Sequence, residues 1–444
     1  MIVLDEEIYI LSYEKDSTKK LVYAPKRGCV ELIDQHLADC LNNGMITTES
    51  SLVKELIKTI QKTPEKDLDV MKNGFPELNI DLSNGCNMRC IYCYAGRGEG
   101  RVKYQKKEDI DLILDAYFRY LYNLPSYQEN ATCSIIFTND AEPTFAPDLL
   151  KYTVITAIEK AKRFKIKPIF LLPTNGAFDA GLRAFIIKYF NVVSCSFDGV
   201  RDVQNHHRPL NNNKPSFDRV YENVQALYQS GIKLIFSVVV TRYNIDYLNE
   251  TIDFFDKNFP GSSVSFGQIH LSGRALEDKK DIGVDQQHFD ERFIAALKYG
   301  KLTSIKVRGK HGHMSLMPRS HYCSSTAKPN WSISLTGEIY ACMEEKSEDM
   351  KIGWFDFEQR ELNFDQGNIK ILGRKTVDCN EKCCECFAKY LCAGGCVSKN
   401  ESQAALCSGI RERNVHFVNH AYEEKMMRVE ARRLFNITED KERR

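Results

Sequence analysis

The sequence predicts an α/β protein: a partial (β/α)6, TIM-like barrel, with a small α+β, winged-helix-like domain before it and a cysteine-rich domain after it. Three observations predict this. Apolar strand-like runs alternate with helical periods from Leu78 to about Gly267. The first sixty or so residues run strands first and helices second, with no such alternation. Of sixteen cysteines, twelve gather in one short loop and in the last third of the chain.

Residues 1 to 62 carry strand patterns at Ile8 to Tyr13, Leu21 to Ala24 and Cys29 to Ile33, with a polar turn at Asp16-Ser17-Thr18. Asp34 then caps a short helix that stops near Gly44, and Leu52, Leu56, Ile57 and Ile60 repeat at helical spacing. Barrel strands are predicted at Leu78 to Leu82, Thr132 to Thr138, Ile169 to Leu172, Val192 to Phe197, Ile232 to Val240 and Ser263 to Phe266. Helical periods such as Ile110, Leu114, Tyr117, Phe118 and Leu121 lie between them. In such a sheet, chemistry sits at the C-terminal strand ends. Val415 to Phe435 reads as a closing helix before a charged tail.

Composition narrows the function classes. With 61 basic against 60 acidic residues, the formal net charge is +1, so there is no electrostatic case for nucleic acid or an anionic membrane. No apolar run reaches about 18 residues. The first residues carry Asp5, Glu6 and Glu7 rather than a basic segment with an apolar core, so the cytoplasm is expected, where reduced thiols are free to bind metals.

After the first barrel strand comes Cys86-Asn-Met-Arg-Cys90-Ile-Tyr-Cys93, a CxxxCxxC loop. Three thiolates at these gaps can wrap one corner of a metal cluster, and soft sulfur selects iron-sulfur or zinc. With no fourth cysteine nearby, one metal keeps an open position, which marks chemistry more often than scaffolding. The alternative is a structural zinc loop with a distant fourth ligand.

This loop, with Tyr92 as its aromatic member, resembles that of the radical SAM superfamily. The resemblance implies a 4Fe-4S cluster on Cys86, Cys90 and Cys93. S-adenosylmethionine would chelate the fourth iron and yield a 5'-deoxyadenosyl radical on reduction. It also implies the six-unit partial barrel. Thr138-Asn139-Asp140-Ala141-Glu142-Pro143 stands where the family commonly has Gly-Gly-Glu-Pro, so Asn139, Asp140, Ala141 and Glu142 become candidates to accept from the cofactor's ammonium. Asp140 and Ala141 replace both glycines, a departure that crowds the site unless the Asp140 carboxylate adds an acceptor. In isolation the segment is a turn before a helix capped by Asp148. Thr174-Asn175-Gly176 places Asn175 near the cofactor ribose. Ser196-Phe-Asp198-Gly199, followed by His206-His207-Arg208, resembles the sulfatase-maturase-like branch. Ser196 and Arg208 are then candidates for the cofactor carboxylate, while the two histidines are left as supporting loop residues.

The last third resembles the SPASM domain: Cys323, then Gly337 and Cys342, then Cys383-x2-Cys386-x5-Cys392-x3-Cys396, and Cys407. This implies two auxiliary 4Fe-4S clusters, three in all. Cys323, Cys342 and Cys396 would hold the nearer one and Cys383, Cys386, Cys392 and Cys407 the outer one. The nearer set lacks a fourth protein ligand, which Cys379, Cys384 or a substrate thiolate could supply. Zinc accounts for the Cys383/Cys386 pair but not for the whole set. Cys29, Cys40, Cys133 and Cys195 read as small buried side chains.

The expected organisation is a leader-peptide-recognition-like domain and linker over 1–76, a radical SAM barrel over 77–310, a SPASM domain over 311–414 and a C-terminal helix over 415–444. The expected function is a peptide maturase that installs a thioether crosslink in a ribosomally made precursor bound through its leader. Electrons would come from an external flavodoxin- or ferredoxin-type donor. A carbon-carbon crosslinking enzyme, an anaerobic sulfatase-maturating enzyme and a non-catalytic iron-sulfur or zinc protein are the alternatives. Met343 and Glu344 stand where the sulfatase branch has an Asp directly after the cysteine equivalent to Cys342. No catalytic side chain beyond cluster and cofactor ligands is assigned.

Overall fold

The computed structural model describes residues 2–3, 6–43, 51–69, 75–98, 100–137, 141–269, 271–276, 282–309, 316–328, 330–397 and 403–435. The chain forms two compact units, neither continuous in sequence. One comprises Met1–Met71, His313–Cys323 and Lys375–Arg444; the other comprises Lys72–Gly312 and Ser324–Arg374.

In the first unit, β1 (Tyr9–Ser12), β2 (Lys19–Ala24) and β3 (Cys29–Asp34) form an antiparallel sheet in that order. Asp34 closes β3 and caps α1 (Gln35–Asn42), its carboxylate accepting from the Leu37 N–H at 2.7 Å. Helix α2 follows at Ser51–Gln61. Strand alternation gives the sheet two apolar faces. Val22, Ala24, Cys29 and Ile33 pack on α1 and α2. Leu11, Leu21, Tyr23 and Val30 pack instead on residues from the end of the chain, among them Leu391, Val418 and Tyr422.

The second unit is built on one eleven-stranded sheet. It begins with β4 (Leu78–Ile80), α3 (Lys107–Tyr122), β5 (Thr132–Phe137), α4 (Pro147–Arg163), β6 (Lys167–Thr174), α5 (Ala180–Tyr189) and β7 (Val192–Ser196). It continues with α6 (Arg201–His207), α7 (Phe217–Gln229), β8 (Lys233–Val240), α8 (Leu248–Asn258), β9 (Ser263–Gln268), α9 (Gln286–Gly300) and β10 (Lys306–Gly309). Strands β4 to β10 pair in parallel in sequence order, so the sheet winds one way without a switch point. The six expected strands are all present, and β10 adds a seventh.

Beyond β4 the sheet continues through β11 (Trp331–Ile333), parallel to it, then through antiparallel β12 (Glu338–Tyr340), β13 (Lys351–Asp356) and β14 (Glu361–Phe364). Helix α10 (Gln366–Gly373) follows. In the first unit α11 (Lys389–Cys392) and α12 (Gln403–Phe435) complete the chain. Helix α12 begins well before Val415, so Cys407 is helical; the charged tail lies outside the described residues.

Helix α3 shows why the period was readable: Ile110, Ile113, Leu114, Tyr117, Phe118 and Leu121 form one buried stripe. Helix α4 differs from expectation. Pro147 opens it and Asp148 lies in its first turn without a capping bond, because proline supplies the preset φ of a first helical residue. Cys29, Cys133 and Cys195 are buried, whereas Cys40 is partly exposed.

Candidate functional site

The CxxxCxxC loop leaves β4 and is held from several sides. The Arg89 and Ile91 N–H groups donate to the carbonyls of Pro209 (2.8 Å) and His207 (3.0 Å), just after α6. The Arg274 guanidinium, in the turn after β9, donates to the carbonyls of Cys90 (2.7 Å) and Arg97 (2.9 Å), while its backbone N–H reaches the Cys93 carbonyl at 3.0 Å. This approach requires a glycine before Arg274. Gly273 has φ +53°, and a Cβ there would stand 2.2 Å from the Tyr94 carbonyl oxygen. Tyr92 packs into an apolar cluster with Ile269, Ala275 and Ile282.

The three thiols are mutual electrostatic neighbours. Burial pushes Cys90 up to about 11, against the opposing charge of Arg208, and raises Cys86 further, with Glu142 and the other two thiols adding to the shift. Such thiols are protonated at neutral pH and ionise only when a metal displaces the proton. Among the described residues no three His, Cys, Asp or Glu side chains converge as ligands of a single bare ion.

Around this loop lie two buried polar groups. Glu142 accepts from the Thr144 N–H (3.1 Å), the Thr144 and Thr174 hydroxyls (2.6 and 2.7 Å) and the Asn175 N–H (2.7 Å), and its own N–H donates to the Gly85 carbonyl at 2.9 Å. Burial raises its pKa while these bonds pull it down. It thereby ties the ends of β5 and β6 to the loop. The Asn175 amide donates to the Asn87 side chain at 2.7 Å and lies 3.7 Å from the Cys86 sulfur. Asn139 and Asp140 lie outside the described residues; Ala141 is half-buried beside Glu142, and Ser196 is half-buried at the end of β7.

The second group was not foreseen. Asp198, fully buried, accepts from the Tyr92 hydroxyl, His207 Nδ1 (3.1 Å), Arg208 Nε and Nη2 (2.9 and 3.3 Å) and the Val239 N–H (2.9 Å). Burial works to raise its pKa, but the Arg208 charge and the His207 bond outweigh it and hold the carboxyl well below its usual range. His207 Nε2 is 2.9 Å from the Thr241 hydroxyl. Arg208 lies 5.1 Å from the Tyr92 ring centre and makes contact with the Cys90 thiol. The candidate carboxylate-binding arginine is thus held in place by an internal acid. Asp-Gly after a strand reads as a turn, which concealed Asp198; Arg274 had no signal beyond the glycine before it.

In the first unit, the Cys383 thiol is pushed up to about 11 by burial and by Cys392, Cys386, Cys407 and Cys384. The four cysteines of the expected outer set are thus electrostatic neighbours, with exposed Cys384 among them. Cys323 and Cys396 both neighbour Tyr322, while Cys379 and Cys384 are exposed. Cys342 follows β12 in the second unit. Soft, mutually close thiols are a donor set that fits iron-sulfur clusters.

Residues 80–255 match the Radical SAM superfamily model, so the chain carries a radical SAM domain, the class that its parallel sheet and cysteine loop define. Its relatives are of several kinds: an uncharacterized protein of Methanocaldococcus jannaschii is 26% identical over 273 residues, 61% of this chain and 86% of that one, and others include a nucleotide dehydratase and a maturase. A cysteine-type anaerobic sulfatase-maturating enzyme of Clostridium novyi is 21% identical over 337 residues, 72% of this chain and 87% of that one. The structure of native anSMEcpe with bound AdoMet and Cp18Cys peptide matches with TM-score 0.60 at 16% identity, covering 78% of this chain and 100% of that one. That of Streptococcus suis SuiB bound to precursor peptide SuiA matches with TM-score 0.50 at 16% identity, covering 89% and 95%. No described helix is long and apolar enough to cross a membrane.

Proposed function

We propose that the chain is a radical SAM/SPASM peptide maturase that forms a thioether, from a cysteine sulfur to a carbon, in a ribosomally made precursor. The observation that carries it is the convergence of the Cys86, Cys90 and Cys93 thiols with Glu142, Asn175, Tyr92 and Arg208 at the C-terminal ends of four parallel strands. When bound, the cluster and S-adenosylmethionine supply a carbon radical able to remove hydrogen from an unactivated position. Ser196 and Arg208 would bind the cofactor carboxylate, Asn175 its ribose, and Ala141 and Glu142, with Asn139 and Asp140, its ammonium. The peptide would lose one carbon hydrogen atom and one thiol proton and pass on one electron as the C–S bond forms. Two auxiliary clusters, on Cys323, Cys342 and Cys396 and on Cys383, Cys386, Cys392 and Cys407, would receive it.

Three features support a peptide substrate. SuiB and anSMEcpe bind peptides on similar folds. The β1–β3 sheet is covered on both faces, so a partner strand can add only at an edge, the geometry of strand capture. Exposed Cys379 and Cys384 leave the fourth position of the nearer set open to a substrate thiolate or to either of them.

Incubation of the reduced enzyme with S-adenosylmethionine and the peptide encoded beside its gene should yield 5'-deoxyadenosine and a product lighter by two hydrogens per crosslink. Loss of one alkylatable thiol separates a thioether from a carbon-carbon bond; unchanged peptide mass refutes the proposal. The likeness to the Clostridium novyi enzyme favours a second reading, formylglycine formation. Oxidation of a sulfatase-derived cysteine peptide, with no effect of deleting residues 1–62, would establish that one instead.

A further inference from the structure

Arg319 is a buried charge in the first unit that the chemistry described so far does not use. It is 6% exposed, and no carboxylate pairs with it among the described residues. Its Nη1 donates to the Tyr322 carbonyl (2.8 Å) and its Nη2 to the Leu391 carbonyl (3.2 Å), while its N–H donates to Tyr390 O at 3.1 Å. Nε–H is buried without an acceptor. A guanidinium does not escape by deprotonating, and a buried cation without an anion is heavily penalised. The titratable groups nearest it are Tyr322, Cys392 and Cys323, two of them thiols from the expected outer and nearer cluster sets that become thiolates when a metal is bound. Its carbonyl acceptors immediately precede Cys323 and Cys392 in sequence. Two other cations face the outer set: Arg411, which bonds the Cys386 thiol, is exposed to solvent and therefore screened, while half-buried Arg413 acts on Cys392 alongside Arg319.

We propose that Arg319 is a fixed counter-charge for the auxiliary iron-sulfur clusters, raising the reduction potential of the cluster held by Cys392 and coupling it electrostatically to the one held by Cys323. A cube on four thiolates is an anion that becomes more negative when reduced, so an adjacent buried cation favours the reduced form. Arg319 is a positioning and tuning residue rather than a catalytic one. The inference rests on the iron-sulfur reading of these cysteines but not on the peptide chemistry.

The test is an EPR-monitored redox titration of the full-length, anaerobically reconstituted protein with Cys86, Cys90 and Cys93 replaced by alanine, so that only auxiliary signals remain. Iron is counted in each sample. Arg319→Gln keeps a hydrogen-bond donor without charge; Arg319→Lys keeps charge without the fork. The expected result is at least a tenfold loss in the reduction equilibrium for Arg319→Gln, 59 mV for one electron, with Arg319→Lys close to the parent. Loss of auxiliary iron in Arg319→Gln alone also supports a requirement for charge. Equal potentials in all three proteins overturn the proposal, as do equal shifts or equal iron loss in both variants, which would indicate a structural role. A parent without auxiliary iron overturns the iron-sulfur reading itself.

Discussion

Asp198→Asn isolates the buried network behind the cysteine loop. The carboxylate accepts from five groups and is paired with Arg208 at 2.9 Å, with both residues buried. An asparagine retains one acceptor oxygen and turns an NH2 toward donors. Removing one partner of a buried pair costs about 3–5 kcal/mol, because the other charge is left uncompensated. At roughly 2–4 °C per kcal/mol for a large unit, the thermal transition of the anaerobic protein should fall by roughly 6–20 °C. A cycle with Arg208→Met tests the cause, since the double variant no longer strands a guanidinium and should recover at least about 1 kcal/mol relative to the summed single costs. A transition within about 0.5 kcal/mol of wild type, or strict additivity, would refute the reasoning.

Gly85→Ala would place a Cβ 2.4 Å from the Phe145 ring, an overpacking cost of about 1–3 kcal/mol, read as a lower unfolding midpoint with reduced iron retention at the first cluster. Arg274→Ala frees the carbonyls of Cys90 and Arg97 and should weaken iron retention at that cluster by roughly 10–100-fold, measured by chelator competition, with auxiliary iron unchanged. Asp198 and Glu6 both have folded pKa values below their unfolded ones, the latter through its hydrogen bonds and charge pairing with Arg27. Their contribution is therefore complete above about pH 4 and lost as pH falls through the folded values. A denaturation series should show stability dropping on the acid side, with a shallower acid limb in Asp198→Asn.

Six of the seven parallel strands were legible because they lie in apolar runs that show a strand pattern, whereas the short and polar β10 was not, and the strand ends pointed to Glu142, Asn175 and Arg208. Strands β11, β12 and β14 escaped because three or four residues cannot display alternation, and their place in the sheet depends on partners far away in sequence. The cysteine spacings are covalent facts and could be read directly. The partners of the candidate residues could not: the Arg208 bond to Asp198 spans ten positions, and Arg274 acts on carbonyls 184 and 177 positions upstream. Such contacts arise only when the sheet brings its loops to one end.

The ladder from β4 through β11 to β12 makes Cys86 and Cys342 outgrowths of the two rungs that flank β11. Adjacent rungs stand about 4.8 Å apart, so the two strands that launch these thiols are about 10 Å apart across the weave. Because β11 runs parallel to β4 and antiparallel to β12, the two cysteine segments leave the weave at opposite strand ends, and the pairing sets the lateral offset of the strands while the loops beyond them set where each sulfur comes to rest.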